Sequence, residues 1–303
     1  MKKLALALAL SVLSSISSSP SAQATQAALT ARSYADVTRE LKRIADTHPD
    51  HASPFELGLS DSGETIRGLK IGNGPVQNLV VATHHGNEYG STEVALAFAE
   101  DLALRPIDGQ TLFVIPVLNI SGYNRRARRE DARGRSWDPN RNYPGPCGTE
   151  GPFTLKSTRA LADFIERQKI VASATLHTYF PAVVWPWGLS SHDLSTPHDS
   201  DFEKLASAAT IESKYQIGNS TEVVYAADGT FEDYAYWKHG IWSLLFELGF
   251  SHSPSDSQVR EMIRANLPGL RRMFEQAPTV RATEHAFTGK CDVRLKAFDR
   301  HDE

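Results

Sequence analysis

The sequence predicts an α/β fold, a mixed central β-sheet with helices on both faces in an α/β/α sandwich. Four apolar runs of strand length, Leu79 to Thr83, Leu112 to Val117, Val171 to Leu176 and Ile241 to Phe246, suit strands covered on both sides. Helical patterns near 91–104, 156–168, 201–211, 232–239 and 256–275 alternate with them. A hairpin pattern precedes the whole series.

Taken in order, the first segment is set apart from the fold. Lys2 and Lys3, a short apolar stretch from Leu4 to Leu13 and the small-residue site Ala22-Gln23-Ala24 read as a secretory signal peptide spanning residues 1–24. It directs the chain to the periplasm or the exterior. Its apolar run is about half the length of a membrane-spanning helix, and no later segment reads as an anchor. Cleavage after Ala24 removes two of 32 basic residues against 36 acidic ones, taking the formal charge from −4 to −6. That balance gives no reason to expect nucleic acid or an anionic membrane as partner. The roughly 280 residues that remain, 25–303, suit one large domain, with no flexible linker and no internal repeat.

Tyr34, Val37, Leu41 and Ile44 recur at helical spacing and predict an opening amphipathic helix. Phe55 to Leu59, the turn Ser60-Asp61-Ser62-Gly63 and Ile66 to Ile71 predict the hairpin. Cys147 and Cys291 are the two cysteines of a chain bound for an oxidising compartment. A bridge that ties down the C-terminal tail and a pair of buried thiols are both open; the local spacing of a cysteine metal site is missing.

The chemistry-bearing residues follow the apolar runs. His85-Gly86-Asn87-Glu88 comes directly after the 79–83 run, His177 ends the 171–176 run, and Glu247 ends the 241–246 run. Ligands in open α/β sheets gather at the carboxyl ends of strands, so all four side chains are expected at one edge. Two histidines and one carboxylate, His85, Glu88 and His177, give a zinc ion three ligands and leave a fourth position for water. A lone HxxE arises often by chance; its combination with a second histidine and a glutamate at strand ends is what points to a metal. Glu247, between Phe246 and Leu248, suits a general base that takes a proton from water and passes it to a leaving amine. The alternative for Glu247 is a buried acid paired with an arginine, since burial without a partner is costly.

With these residues in place, the chain resembles the zinc metallocarboxypeptidases of the carboxypeptidase A/B type over roughly residues 33 to 275. The likeness rests on five segments in order. They are Leu57-Gly58-Leu59-Ser60 with Gly63-Glu64-Thr65-Ile66; HGNE at 85–88; Asp138-Pro139-Asn140-Arg141-Asn142; Leu176-His177-Thr178-Tyr179 with Trp185-Pro186-Trp187-Gly188; and Tyr225, Gly229 to Tyr234 and Leu245-Phe246-Glu247-Leu248. The resemblance implies one zinc per chain and a peptide or muropeptide substrate. It also implies that Asn140 and Arg141 hold the substrate's terminal carboxylate and that Tyr225 closes over it. Within a loop that also carries Arg125, Arg126, Arg128 and Arg133, Arg129 best matches the arginine that stabilises the oxyanion. Glu232 falls at the bottom of the pocket for the terminal side chain, where an acid implies release of lysine, arginine or diaminopimelate. Its competing reading is an acid in the first turn of a helix capped by Thr230.

The chain departs from the family where Ile120-Ser121-Gly122 stands for Pro-Asp-Gly and Lys156-Ser157 for an acidic residue. Its compact spacing from Glu88 to His177 suits the short, bacterial-like branch, with no pro-domain expected. Two other functions fit parts of the pattern. A zinc-dependent N-acyl-amino-acid deacylase of the desuccinylase or aspartoacylase kind shares the HGNE-like and LHT-like segments. A catalytically silent binding protein would keep the pocket. The Tyr225 loop and Trp185 to Gly188 favour the peptidase over the first, and the complete set of ligands and base argues against the second. No GxSxG elbow or phosphate-binding GxxxxGK[ST] loop is present.

Overall fold

The apolar spacing from Tyr34 to Ile44 becomes helix α1 (Tyr34–Thr47) in the computed structural model of the chain, which describes residues 28–192 and 194–291. The signal-peptide segment 1–24 lies outside the described residues. Ser33 caps α1: its side chain accepts the Asp36 amide while the Asp36 carboxylate accepts the Ser33 amide, satisfying two amides that the first turn leaves open. The hairpin follows as β1 (Ala52–Leu59) and β2 (Thr65–Gly72), paired antiparallel.

The four apolar runs become β3 (Val76–Ala82), β4 (Gln110–Ile115), β7 (Ala172–His177) and β10 (Trp242–Glu247). They are adjacent and mutually parallel at the centre of an eight-stranded sheet ordered β1-β2-β4-β3-β7-β10-β8-β9. Every residue of β4 and β7 is buried, as strands covered on both faces require. Between the strands run α2 (Tyr89–Leu104), α4 (Lys156–Arg167), α5 (Asp199–Ala209) and α7 (Phe231–His239), and α8 (Asp256–Gln276) follows β10. Helices α1, α2, α5 and α8 touch one another in series, while α4 packs on β1 and α7 on β10. The mixed, helix-flanked sheet is the predicted architecture.

The differences lie in short elements. β8 (Ala182–Trp185) and β9 (Gln216–Asn219) extend the sheet, β5 (Glu130–Ala132) pairs with β6 (Arg135–Trp137), and α3 (Ile120–Arg125) and α6 (Ser220–Val223) are brief helices. None is long enough to display a periodicity of 2 or 3.6. At the end of β3 the expected strand stops one residue early. Thr83 takes a left-handed φ of 58°, rare for a β-branched residue. Its hydroxyl meets Thr92 Oγ1 at 2.6 Å and donates to the Pro116 carbonyl at 3.1 Å, contacts that hold the turn.

The chain beyond α8 folds back over α7 and β10. Trp242 donates to the Val280 carbonyl, the Ala282 amide donates to the Gly240 carbonyl, and His285 meets the Trp237 carbonyl. Cys291 then closes a disulfide with Cys147, resolving the two readings of the cysteines in favour of the bridge.

Candidate active site

Register decides where the functional side chains stand. Ala82 pairs with Leu176 across β3 and β7, and Glu247 pairs with His177 across β10 and β7. Three parallel strands therefore end level, with His177 and Glu247 as their last residues and Thr83 to Glu88 turning off β3 before α2 begins. Gly86 is required in that turn. A Cβ there would lie 2.0 Å from the Gly122 carbonyl carbon, and the Gly86 amide donates to the Arg128 carbonyl at 3.2 Å.

The predicted ligand set is brought together. Ligand atoms of His85, Glu88 and His177 lie within 4.8 Å of one another, and all three residues are buried. Nδ1 of His85 is 2.7 Å from Glu88 Oε1, Nδ1 of His177 is 2.9 Å from Glu88 Oε2, and the two Nδ1 atoms stand 3.3 Å apart. On the far side of its ring, His85 Nε2 is 3.0 Å from Asp138 Oδ1. That carboxylate keeps the proton on Nε2 and leaves the Nδ1 lone pair facing the other imidazole. Buried nitrogens arranged so, beside a carboxylate, call for a cation between them, and the nitrogen-and-oxygen donor set suits zinc. Burial opposes ionisation of Glu88, but the two imidazoles lower its pKa; burial would lower that of His177, yet Glu88 raises it to about 9, a proton that a bound metal ion would displace. His84, also buried, packs its ring 5.4 Å from that of His177 and bonds Tyr143 through Nε2, forming a wall behind the ligand.

Glu247 lines the same cleft, and its Oε2 is buried without a hydrogen-bond partner among the described residues. Burial and the Glu88 charge push it up to about 7. A bound cation between the two would draw it back down. The cleft is lined by His85, His177 and Glu247 together with Asn140, Arg141, Tyr225 and Glu232. Arg141 Nη2 donates to the Tyr225 hydroxyl at 2.9 Å. Asn140 accepts the Phe231 amide at 2.9 Å and stands 3.5 Å from Glu232. Glu232 also accepts from the Thr175 hydroxyl. It lies both in the cleft and in the first turn of α7, where Thr230 caps the Asp233 amide; the two readings of this residue describe one geometry. Among the described residues no cationic side chain pairs with it.

The guanidinium of Arg128, next in the chain to the expected Arg129, is set against the ligands: it bonds Asp138 through Nε at 3.0 Å and approaches Glu88 to 3.9 Å. The Arg128 carbonyl accepts from both Gly86 and Asn119, which fixes this residue's register against the ligand turn. Spacing within an arginine-dense loop could not resolve that. Arg125 turns instead to Asp131, and Arg126 to the carbonyls of Thr30 and Arg32. Sequence reasoning also missed Asp138 as the partner of His85. The signal was there, as the acid opening the Asp138-Pro139-Asn140 segment, but its partner is 53 residues away.

The chain is similar to known proteins. The family described as zinc carboxypeptidase matches residues 37–269. Carboxypeptidase B of Astacus astacus is 28% identical over 69% of this chain and 82% of its own length. A zinc carboxypeptidase of Simulium vittatum is 25% identical over 65% of this chain and 78% of its own. The structure of bovine thrombin-activatable fibrinolysis inhibitor in complex with tick carboxypeptidase inhibitor superposes with a TM-score of 0.73 at 20% identity, covering 80% of this chain and 95% of that one.

Proposed function

The chain belongs to the zinc carboxypeptidase family, and from that premise we propose which residues carry the peptide hydrolysis and on which peptides it acts. His85, Glu88 and His177 would hold the zinc, which would supply a Lewis acid for the scissile carbonyl and for water. Glu247 would act as the general base towards water and pass the proton to the leaving amine. Arg128 donates to the developing oxyanion. Asn140, Arg141 and Tyr225 grip the terminal carboxylate, which makes the enzyme an exopeptidase. The observation that supports this reading most is the pair of Nδ1 atoms 3.3 Å apart beside Glu88, with Glu247 in register opposite His177.

The substrate class follows from Glu232. The residue is 2% exposed, and the hydrogen-bond partners of its carboxylate among the described residues, Thr175 and Asn140, are neutral. An arriving ammonium or guanidinium offsets the cost of burying that charge; an apolar side chain does not. The enzyme therefore releases terminal lysine, arginine or the amine-bearing diaminopimelate, from peptides or cell-wall stem peptides. Residues 1–24 export it, and 25–303 form its one catalytic domain. Among the described residues no helix is long and apolar enough to cross a membrane.

The test combines zinc content with turnover. His177→Ala is expected to lose stoichiometric zinc and hydrolysis together, whereas Glu247→Gln keeps the metal and loses about three or more orders of magnitude in kcat. Full zinc occupancy in the first variant, or near-normal turnover in the second, overturns the assignment. For specificity, matched peptides ending in Lys and Phe are compared in wild type and Glu232→Ala. A wild-type preference for Phe, or a Lys/Phe ratio untouched by the substitution, reduces Glu232 to a helix-cap acid.

A further inference from the structure

Tyr225 is 49% exposed, yet its hydroxyl is placed on Arg141 at 2.9 Å. Something must hold its loop. On the N-terminal side the Tyr225 amide donates to the Ser220 carbonyl at 3.2 Å. On the other side, the Ala227 amide donates to the Gly188 carbonyl and the Gly229 carbonyl accepts the Tyr143 amide at 3.0 Å. Between them the side chain of Asp228 crosses to the segment that follows Arg141. Its Oδ2 accepts from the Thr149 hydroxyl at 3.1 Å, and its Oδ1 lies against Gly145, where an added Cβ would come within 2.5 Å. That segment is stiff, with Pro144 and Pro146 fixing two φ angles and Cys147 bridged to Cys291.

We propose that Asp228 is a positioning residue for substrate binding, a latch to Thr149 that closes a ring from Arg141 through residues 142–149 and back along 228–225 to the Tyr225 hydroxyl. This rests on the reading that Arg141 and Tyr225 grip the terminal carboxylate. Both donors then have to be in place together, and the latch sets one relative to the other. Glu247, Arg128 and the metal ligands stand outside the ring, so loosening it weakens binding without slowing the chemical step.

The experiment is steady-state kinetics of the zinc-loaded enzyme on one peptide substrate, with thermal unfolding of each variant as a check on folding. Tyr225→Phe is expected to raise KM. Asp228→Ala and Thr149→Val are each expected to raise KM about five-fold with kcat within about two-fold of wild type. Thr149→Ser, which keeps the hydroxyl, and Asp228→Asn, which keeps an accepting oxygen without charge, should stay within about two-fold in KM. On the Tyr225→Phe background, Asp228→Ala should add less than about 1.5-fold, because both act on one contact. If Tyr225→Phe leaves KM unchanged, the carboxylate grip fails and the latch falls with it. If Tyr225→Phe raises KM but Asp228→Ala and Thr149→Val do not, or if their effects multiply in full, the latch alone is overturned. An Asp228→Asn variant as impaired as Asp228→Ala overturns it too, since charge near Arg141 rather than the hydrogen bond would then be acting. Should Asp228→Ala fail to fold, Thr149→Val and Thr149→Ser decide the question.

Discussion

Glu88, Glu130 and Glu247 carry the same side chain into three surroundings. Glu88 is lowered by two imidazoles against the effect of burial, and Glu247 is raised by burial and by Glu88. Glu130, away from the ligands, is fully buried in β5; its Oε2 accepts from the Ser157 hydroxyl at 2.5 Å, and its Oε1 has no partner among the described residues. Burial pushes it up to about 7 from an ordinary 4.5. Because the folded state holds this proton more tightly than the unfolded chain, the associated stability is complete below pH 4.5 and is lost as pH rises towards 7. Glu130→Gln has no such proton to lose. Between pH 4.5 and 7.5 the zinc-loaded wild type is expected to lose about 3 kcal/mol relative to the variant. Urea unfolding of both across that range measures it, and a pH-independent gap would show that Glu130 does not titrate there. Ser157 suits this partner, since an acid in its place would meet Glu130 in the core.

At the scale of elements, helix packing depends on one close approach. Gly269, inside α8 after Pro268, faces the C-terminal end of α5, where an added Cβ would come 1.9 Å from the Ala209 carbonyl oxygen. Helix propensity alone says that Gly269→Ala stabilises by about 1 kcal/mol. The contact says the opposite, since the methyl group drives α8 off α5 and costs about 2 kcal/mol or more net. Thermal unfolding decides the sign; a higher Tm in the variant would mean the helices do not approach so closely. The long helices and central strands were legible because each repeats its apolar pattern over several turns or pairs. β8 and β9, four residues each, exist because a strand edge beside β10 is there to accept them.

Across the whole molecule, the disulfide joins segments 144 residues apart. It ties the loop after Arg141 to the tail that covers α7. In the chain-entropy account, closing so long a loop stabilises by about 5 kcal/mol. The double variant Cys147→Ser with Cys291→Ser is expected to lose that amount in urea unfolding, with a fall in Tm on the order of 10 °C. An unchanged midpoint would mean that the bridge constrains nothing the rest of the fold leaves free.

The sequence by itself determined the central strands, the residues at their ends and the chemistry those residues suit. His177 and Glu247 were legible because each ends a strongly apolar run, and His85 and Glu88 because they lie in the turn that follows one, so local pattern alone placed the four near strand ends. Tertiary structure decided how those ends meet. The level register of β7 and β10, the hold of Asp138 on His85, the bond from the Gly86 amide to the Arg128 carbonyl and the closing of Cys147 on Cys291 all join residues distant in the chain. Hydrophobic periodicity reports which face of one element is buried. It carries no information about which residue of another element lies opposite, because that depends on backbone contacts formed only once the elements have packed.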